Sequence, residues 1–350
     1  MNNENIVKRY SGIDALKFLC AFLVVCIHKP FPGTVGEYIV AISRIAVPIF
    51  FMITGFFYKV EDNQEKKQIV KLLKIILFSS ILYLGWNFLI HIFKFVVNGN
   101  IDSVLNVFQI FNRKSILQLL FLNESPISGH LWYLNAIVYV FLCCYISKKV
   151  KLFKILYWIT PLLLSVDLVF GKYAIAIFGR EFNYLYVRNF LFVGIPYFII
   201  GNSIRYAYIK GKLNVCSKKH LLVFLMLFSA VLCIIEKYTI LSFEINATRD
   251  HYISTTLLAC VVFVFFLVAF SNENKKLKWI SDIGRNHSLD IYIIHPIVIV
   301  VLHIMSEMFC VERVYSYVAP ILVFCVSIFL SMIYRRMLYY FKEKCNKKYK

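Results

Sequence analysis

Apolar residues run in long blocks from one end of this 350-residue chain to the other, separated by short segments where Lys, Arg, Asn and Glu collect. Ten blocks predict helices: Asp14–Phe31, Tyr38–Tyr58, Ile69–Val97, Leu131–Ser147, Leu152–Phe170, Val187–Tyr206, His220–Glu236, Ile253–Phe270, Ser288–Met308 and Tyr315–Tyr340. Most reach the roughly 17–25 residues that an α-helix needs to cross a bilayer. The pattern predicts an all-α integral membrane protein, a single domain over 1–350 with about ten transmembrane helices and no separate soluble module. Between the third and fourth blocks, Ser115–Leu122 is apolar on one side and too short to span, which suits a helix lying at the interface or re-entering.

Composition narrows this further. Hydrophobic residues make up 60% of the chain and charged ones only 17%, outside the range of ordinary soluble domains. The formal net charge of +20 suggests nucleic acid until its distribution is seen, because the basic residues sit in clusters between apolar blocks. Assigning the intervening segments to alternate sides puts 27 Lys and Arg on one side and 11 on the other, with Lys17 inside the first block. The positive-inside rule then places both termini in the cytoplasm, and an even number of spans satisfies that. The bilayer is the expected partner and nucleic acid is not. Seven of the ten cysteines lie inside apolar blocks with no CxxC or Cys/His spacing, so they read as small hydrophobes and no metal is expected.

Ionisable residues within the blocks carry the candidate chemistry, since such groups face a bundle interior or a wet cavity. Lys17 and His28 stand eleven residues apart, about 20° past three full turns, so they share one face of the first helix roughly 16 Å apart. Asp14 and Lys17 are placed to pair. One reading has Lys17 snorkelling and His28 closing the helix beside Lys29 and Pro30. The other makes that face a polar path with His28 as general base, because imidazole changes charge near neutral pH.

Arg44 lies inside the second block, four residues before Pro48, and a guanidinium there needs a carboxylate, phosphate or carbonyl. Lys71 and Lys74, close on one helical turn, are either ordinary membrane anchors or contacts for a phosphorylated donor. His130 and Tyr133 open the fourth block, where Trp and Tyr are ordinary belt residues, and Arg188-Asn189 opens the sixth, whose Gly194, Pro196 and Gly201 bend its backbone. In the ninth block His295 shares a face with Ser288 while Asp290 points elsewhere.

Taken in series, Asp14-Ala-Leu-Lys17 with ten residues before His28, Arg44-Ile-Ala-Val-Pro48, His130-Leu-Trp-Tyr-Leu, Arg188-Asn189 and Ser288-Leu-Asp-Ile-Tyr-Ile-Ile-His295-Pro296 resemble the acyltransferase-3 family of integral membrane O-acyltransferases. The resemblance implies that His28 and Lys17 are catalytic and that acyl-CoA, in particular acetyl-CoA, is the donor. It places donor contacts at Lys71 and Lys74, where the family prefers Arg. Acceptor contacts are then Arg44, His130, Tyr133, Arg188, Asn189 and His295. It further implies a bacterial plasma-membrane enzyme acting on a cell-envelope glycan or glycolipid precursor. The chain runs only ten residues past its last predicted span, so the extra hydrolase-like domain of some relatives is not expected, and a separate envelope-synthesis protein is a candidate partner. The chain is also similar to the membrane half of membrane-bound serine racemases, which leaves a small-molecule transporter of amino acids or glycans as the alternative.

Overall fold

The computed structural model describes residues 9–98, 108–213, 219–247, 251–270 and 277–348. Residues 99–107 of the long predicted loop lie outside the described residues, as do Lys8, Lys218, Arg249, Lys275, Lys276 and Lys350 of the charge count. Every regular element among the described residues is helical, with no strand. Eight helices among them are long and apolar enough to cross a membrane, and shorter apolar helices at Ile155–Phe170 and Ile253–Ala269 occupy the fifth and eighth predicted positions. The protein is a multi-pass helical membrane protein.

In chain order the elements used below are α1 (Ser11–His28), α2 (Gly33–Ser43), α3 (Ala46–Phe57), α4 (Glu65–Asn98) and α5 (Arg113–Leu122). They continue with α6 (Trp132–Lys149), α7 (Ile155–Phe170), α8 (Ala174–Phe178) and α9 (Ile195–Ile209). The last four are α10 (Lys219–Ser242), α11 (Ile253–Ala269), α12 (Lys278–Met308) and α13 (Glu312–Lys348). The amphipathic piece near Ser115 is helical as α5, has no buried residue, and is capped by Asn112, whose side-chain oxygen accepts from Ser115 N at 2.9 Å.

Two boundaries differ from expectation. The second block is two helices, α2 and α3, broken at Arg44-Ile45. Pro48 explains the break, because it offers no N–H to the Arg44 carbonyl and its ring collides with that carbonyl in a continuous helix. The ninth block starts ten residues early, at Lys278 rather than Ser288. Its polar first turns looked like a loop. They hold together because their polar groups find partners: Ser281 Oγ donates to the Ser11 carbonyl at 2.9 Å, and Arg9 reaches Asp282 at 2.6 Å.

The chain forms two compact units. The first comprises Met1–Phe50, Gly211–Ile235 and Ser254–Lys350, and the second Phe51–Lys210 and Glu236–Ile253. In the first, α1 packs along α12 and α12 along α13. Ala21 and Val25 of α1 meet Ile283, Ile291 and Val298 of α12 and Val323, Phe324 and Ile328 of α13 in one apolar cluster. The backbones touch at Gly284, where a Cβ would collide with the Asp14 carbonyl, so only glycine permits this approach. In the second unit α4 packs on α6 and α7 on α9. Leu73, Leu77, Ile81 and Leu89 of α4 are exposed, and large apolar side chains left bare on a spanning helix are a lipid-facing surface.

Candidate functional site

The predicted residues fall into the two units. In the first, α1 has 18 residues, about 27 Å by rise, close to the thickness of the hydrocarbon layer. Lys17 Nζ donates to Asp14 Oδ1 at 2.9 Å, and Arg9 stands 3.7 Å from the other oxygen while also reaching Asp282 at 2.6 Å. Asp14 is 6% exposed. A nearly buried carboxylate thus holds two cations, the arrangement a buried charge requires.

His28 is the last residue of α1 and is exposed. The helix stops there because Pro30 disfavours helical backbone at residue 29, and Lys29 N closes the final turn on the Val25 carbonyl at 2.8 Å. Its ring centroid lies 5.1 Å from that of His295 on α12. His295 is fully buried, and its Nδ1 contacts the Ile291 carbonyl at 3.0 Å. A carbonyl only accepts, so Nδ1 carries a proton, and when the ring is neutral the lone pair is on Nε2. Lys17 and His28, about 16 Å apart by rise, act at different levels of the helix. Arg44 sits at the α2–α3 break, half-buried, rather than inside a continuous span. Asp290 turns to α13, where Ser331 Oγ donates to it at 2.7 Å and Arg335 Nε at 2.6 Å.

In the second unit the residues before α6 and α9 build a polar cluster. The Arg188 guanidinium lies 5.1 Å from the Trp132 ring centroid and 4.5 Å from that of Tyr184. Its Nη2 stands 3.3 Å from Glu124 Oε2. Its Nε is buried with no hydrogen-bond partner among the described residues. Burial pushes the Glu124 carboxyl above its ordinary range, and Arg188 pulls it back only in part. His130 Nδ1 and Ser128 Oγ are 2.8 Å apart, and the His130 ring lies 4.9 Å from Tyr83. Tyr133 packs edge-on against Phe51 at 4.7 Å.

Asn189, expected among the acceptor contacts, has its amide committed to the backbone. Its oxygen accepts from Leu191 N and Phe192 N, and its nitrogen donates to the Tyr186 carbonyl at 2.8 Å. It caps the single π-helical turn Phe190–Gly194, which leaves nothing to offer a ligand. Lys71 and Lys74 are exposed on α4, with no ion-pair partner among the described residues.

Sequence reasoning missed three features. One is Glu124, in the segment before α6, where no local pattern singles it out. Asp167 of α7 accepts from His251 Nδ1 at 2.9 Å, both 7% exposed, with the Tyr197 ring 5.8 Å from the imidazole. A carboxylate inside the apolar run of α7 was itself a signal. Tyr58 Oη donates to Glu65 Oε1, which also accepts from Lys148 Nζ at 2.7 Å.

Comparison with known proteins fits this picture. The family described as an acyltransferase domain, acyltransferase-3, matches residues 10–334. An amino-acid racemase from Enterococcus faecalis is 25% identical over 324 residues, covering 85% of this chain and 42% of that protein. A second protein of that name and organism is 28% identical over 216 residues, covering 56% of this chain and 28% of its own length. The chain therefore spans less than half the length of these curated relatives. No solved structure matches. With nearly the whole described chain inside the family match, this protein belongs to the acyltransferase-3 family and carries a membrane acyltransferase domain.

Proposed function

We propose that the chain transfers an acyl group, in particular acetyl, from acyl-CoA to a hydroxyl of a cell-envelope glycan or glycolipid precursor at the bacterial plasma membrane. The observation that carries the reading is the position of His28: exposed at the end of α1, backed by the buried ring of His295, within a chain of this family. His28 removes the proton as the acceptor oxygen attacks the thioester carbonyl. The C–O bond forms, the C–S bond breaks, and the departing thiolate takes up the proton. His295, its proton fixed on Nδ1, orients His28 and lends its lone pair to the imidazolium that forms. Arg188, cradled by Trp132 and Tyr184 with a spare donor, contacts an anionic or carbonyl group of the acceptor. Lys17 holds its end of α1 through Asp14.

Purified protein in lipid nanodiscs, given radiolabelled acetyl-CoA and envelope extract, tests this. His28→Ala is expected to lower acyl transfer by roughly 10²–10⁴, the usual scale for a general base, with the protein still inserted. Transfer at the wild-type rate would remove His28 from the mechanism. The racemase name of the two relatives favours one second reading, passage of an amino acid along the same polar end of α1. Uptake of labelled amino acids into proteoliposomes without acyl-CoA would select it.

A further inference from the structure

The last helix, α13, has 37 residues, about 55 Å by rise, which exceeds the roughly 30 Å of hydrocarbon it must cross. Leu322, Cys325, Phe329, Ile333, Arg336 and Tyr340 are all exposed on it. At 100° per residue these six fall within an arc of about 80°, so they form one stripe down the helix. The stripe is apolar as far as Ile333 and then meets a guanidinium. From Cys325 to Arg336 is about 16 Å by rise, close to the half of the hydrocarbon layer that one leaflet occupies. On the orientation that the charge distribution predicts, Arg336 stands at the cytoplasmic edge of the bilayer.

Its neighbour Arg335 is held in place. Asp290 of α12 accepts from Arg335 Nε at 2.6 Å and from Ser331 Oγ at 2.7 Å. That contact uses one of five N–H groups and leaves the terminal nitrogens of a side chain 43% exposed to a further acceptor. Arg336 has no ion-pair partner among the described residues. Lys342 and Lys344 are exposed in the turns that follow. The next charge on the stripe itself is Glu343, about 10 Å beyond Arg336, and it already has an interaction of its own. Tyr339, Tyr340 and Phe341 are consecutive and exposed, so they ring the helix instead of marking one side. A ring of aromatic residues suits the headgroup layer, whereas a docked protein reads a single helix face.

Two adjacent guanidinium groups at the foot of an apolar stripe one leaflet long fit a ligand with an anionic head and a long apolar tail. We propose that α13 holds an anionic phospholipid of the cytoplasmic leaflet, with its phosphate on Arg335 and Arg336 and an acyl chain along Ile333, Phe329 and Cys325. Through Asp290, the same phosphate contact braces α13 against α12. No residue proposed for acyl transfer belongs to this site.

Native mass spectrometry of the full chain, released from nanodiscs of mixed phosphatidylglycerol and phosphatidylcholine, tests it. Wild type is expected to retain phosphatidylglycerol over phosphatidylcholine. Arg336→Gln, at an exposed position that the fold does not need, is expected to lower that retention about fivefold, the scale of one cation beside an anionic leaflet. Arg336→Lys keeps the charge and is expected to stay within about twofold. Lys342→Gln/Lys344→Gln, about 9 and 12 Å farther along the helix, is expected to change retention less than Arg336→Gln does, because the attraction is screened over that distance. Equal retention of the two lipids by wild type overturns the site. An equal loss in Lys342→Gln/Lys344→Gln reduces it to diffuse attraction by the charged leaflet and overturns it too. Displacement of bound phosphatidylglycerol by an equal concentration of glycerol 3-phosphate leaves only an anion contact and overturns the lipid assignment. Oxidative cross-linking of wild type that is lost in Cys325→Ser puts a second copy of the chain on the stripe, with the same consequence.

Discussion

The Asp14 cluster of the first unit and the Glu124 cluster of the second each set cations against a carboxylate, yet they leave those cations in different states. Asp14 is backed by Asp282, so Arg9 and Lys17 each have a carboxylate within 4 Å. Among the described residues Arg188 pairs with one carboxyl, Glu124, whose burial favours its protonated form, and keeps a buried N–H with nothing to bind there. A saturated cluster fixes a helix. In the undersaturated one the guanidinium lies 5.1 and 4.5 Å from two ring centroids with a donor to spare, the contact proposed above for the acceptor.

Among the variants that bear on this comparison, the largest effect should come from Arg188. Arg188→Met is expected to lower acyl transfer about 10- to 100-fold, the scale of a lost charge-assisted hydrogen bond. The double variant Glu124→Gln/Arg188→Met breaks the comparison if it restores activity, since Arg188 would then serve only to neutralise Glu124. Next is Asp14→Asn, expected to cost roughly 1–3 kcal/mol in unfolding free energy, less than a fully buried pair because Lys17 and Arg9 are about a quarter exposed. Thermal unfolding of the protein in detergent measures it, and an unchanged midpoint would mean the cluster holds nothing.

A smaller effect concerns pH. The folded state raises the Glu124 pKa, so its contribution to stability is full below the unfolded value and is lost as pH rises through the folded one. Wild type should therefore gain stability relative to Glu124→Gln as pH falls from neutral toward 5, and parallel unfolding curves for the two proteins would reject this. The smallest effect is expected at α4. Lys71→Met/Lys74→Met should change the KM for acetyl-CoA by less than about twofold, as exposed charges without partners usually do.

Much of the architecture could be read before any coordinates. Block length gave the helices and the i,i+3 spacing of Asp14 and Lys17 the pair that forms, whereas the break that Pro48 makes at Arg44 divides what reads as one continuous span. What stayed hidden depends on contacts between distant parts of the chain. Glu124 meets Arg188 across 64 positions and Asp167 meets His251 across 84, and no local pattern encodes either meeting. The first turns of α12 looked too polar for a helix because their partners, Arg9 and Ser11, lie about 270 residues away. Asn189 misled for a different reason: an asparagine beside an arginine in a polar segment looks the same whether it caps a helix or greets a substrate.

The glycine at position 284 has a mechanical corollary. With no side chain between them, the α1 and α12 backbones meet at this level, and the apolar contacts of Ala21 and Val25 with Ile291 and Val298 carry that spacing on to the two imidazoles. If His28 acts as proposed, a methyl group added at Gly284, distant from any reacting atom, should shift its ring and lower acyl transfer.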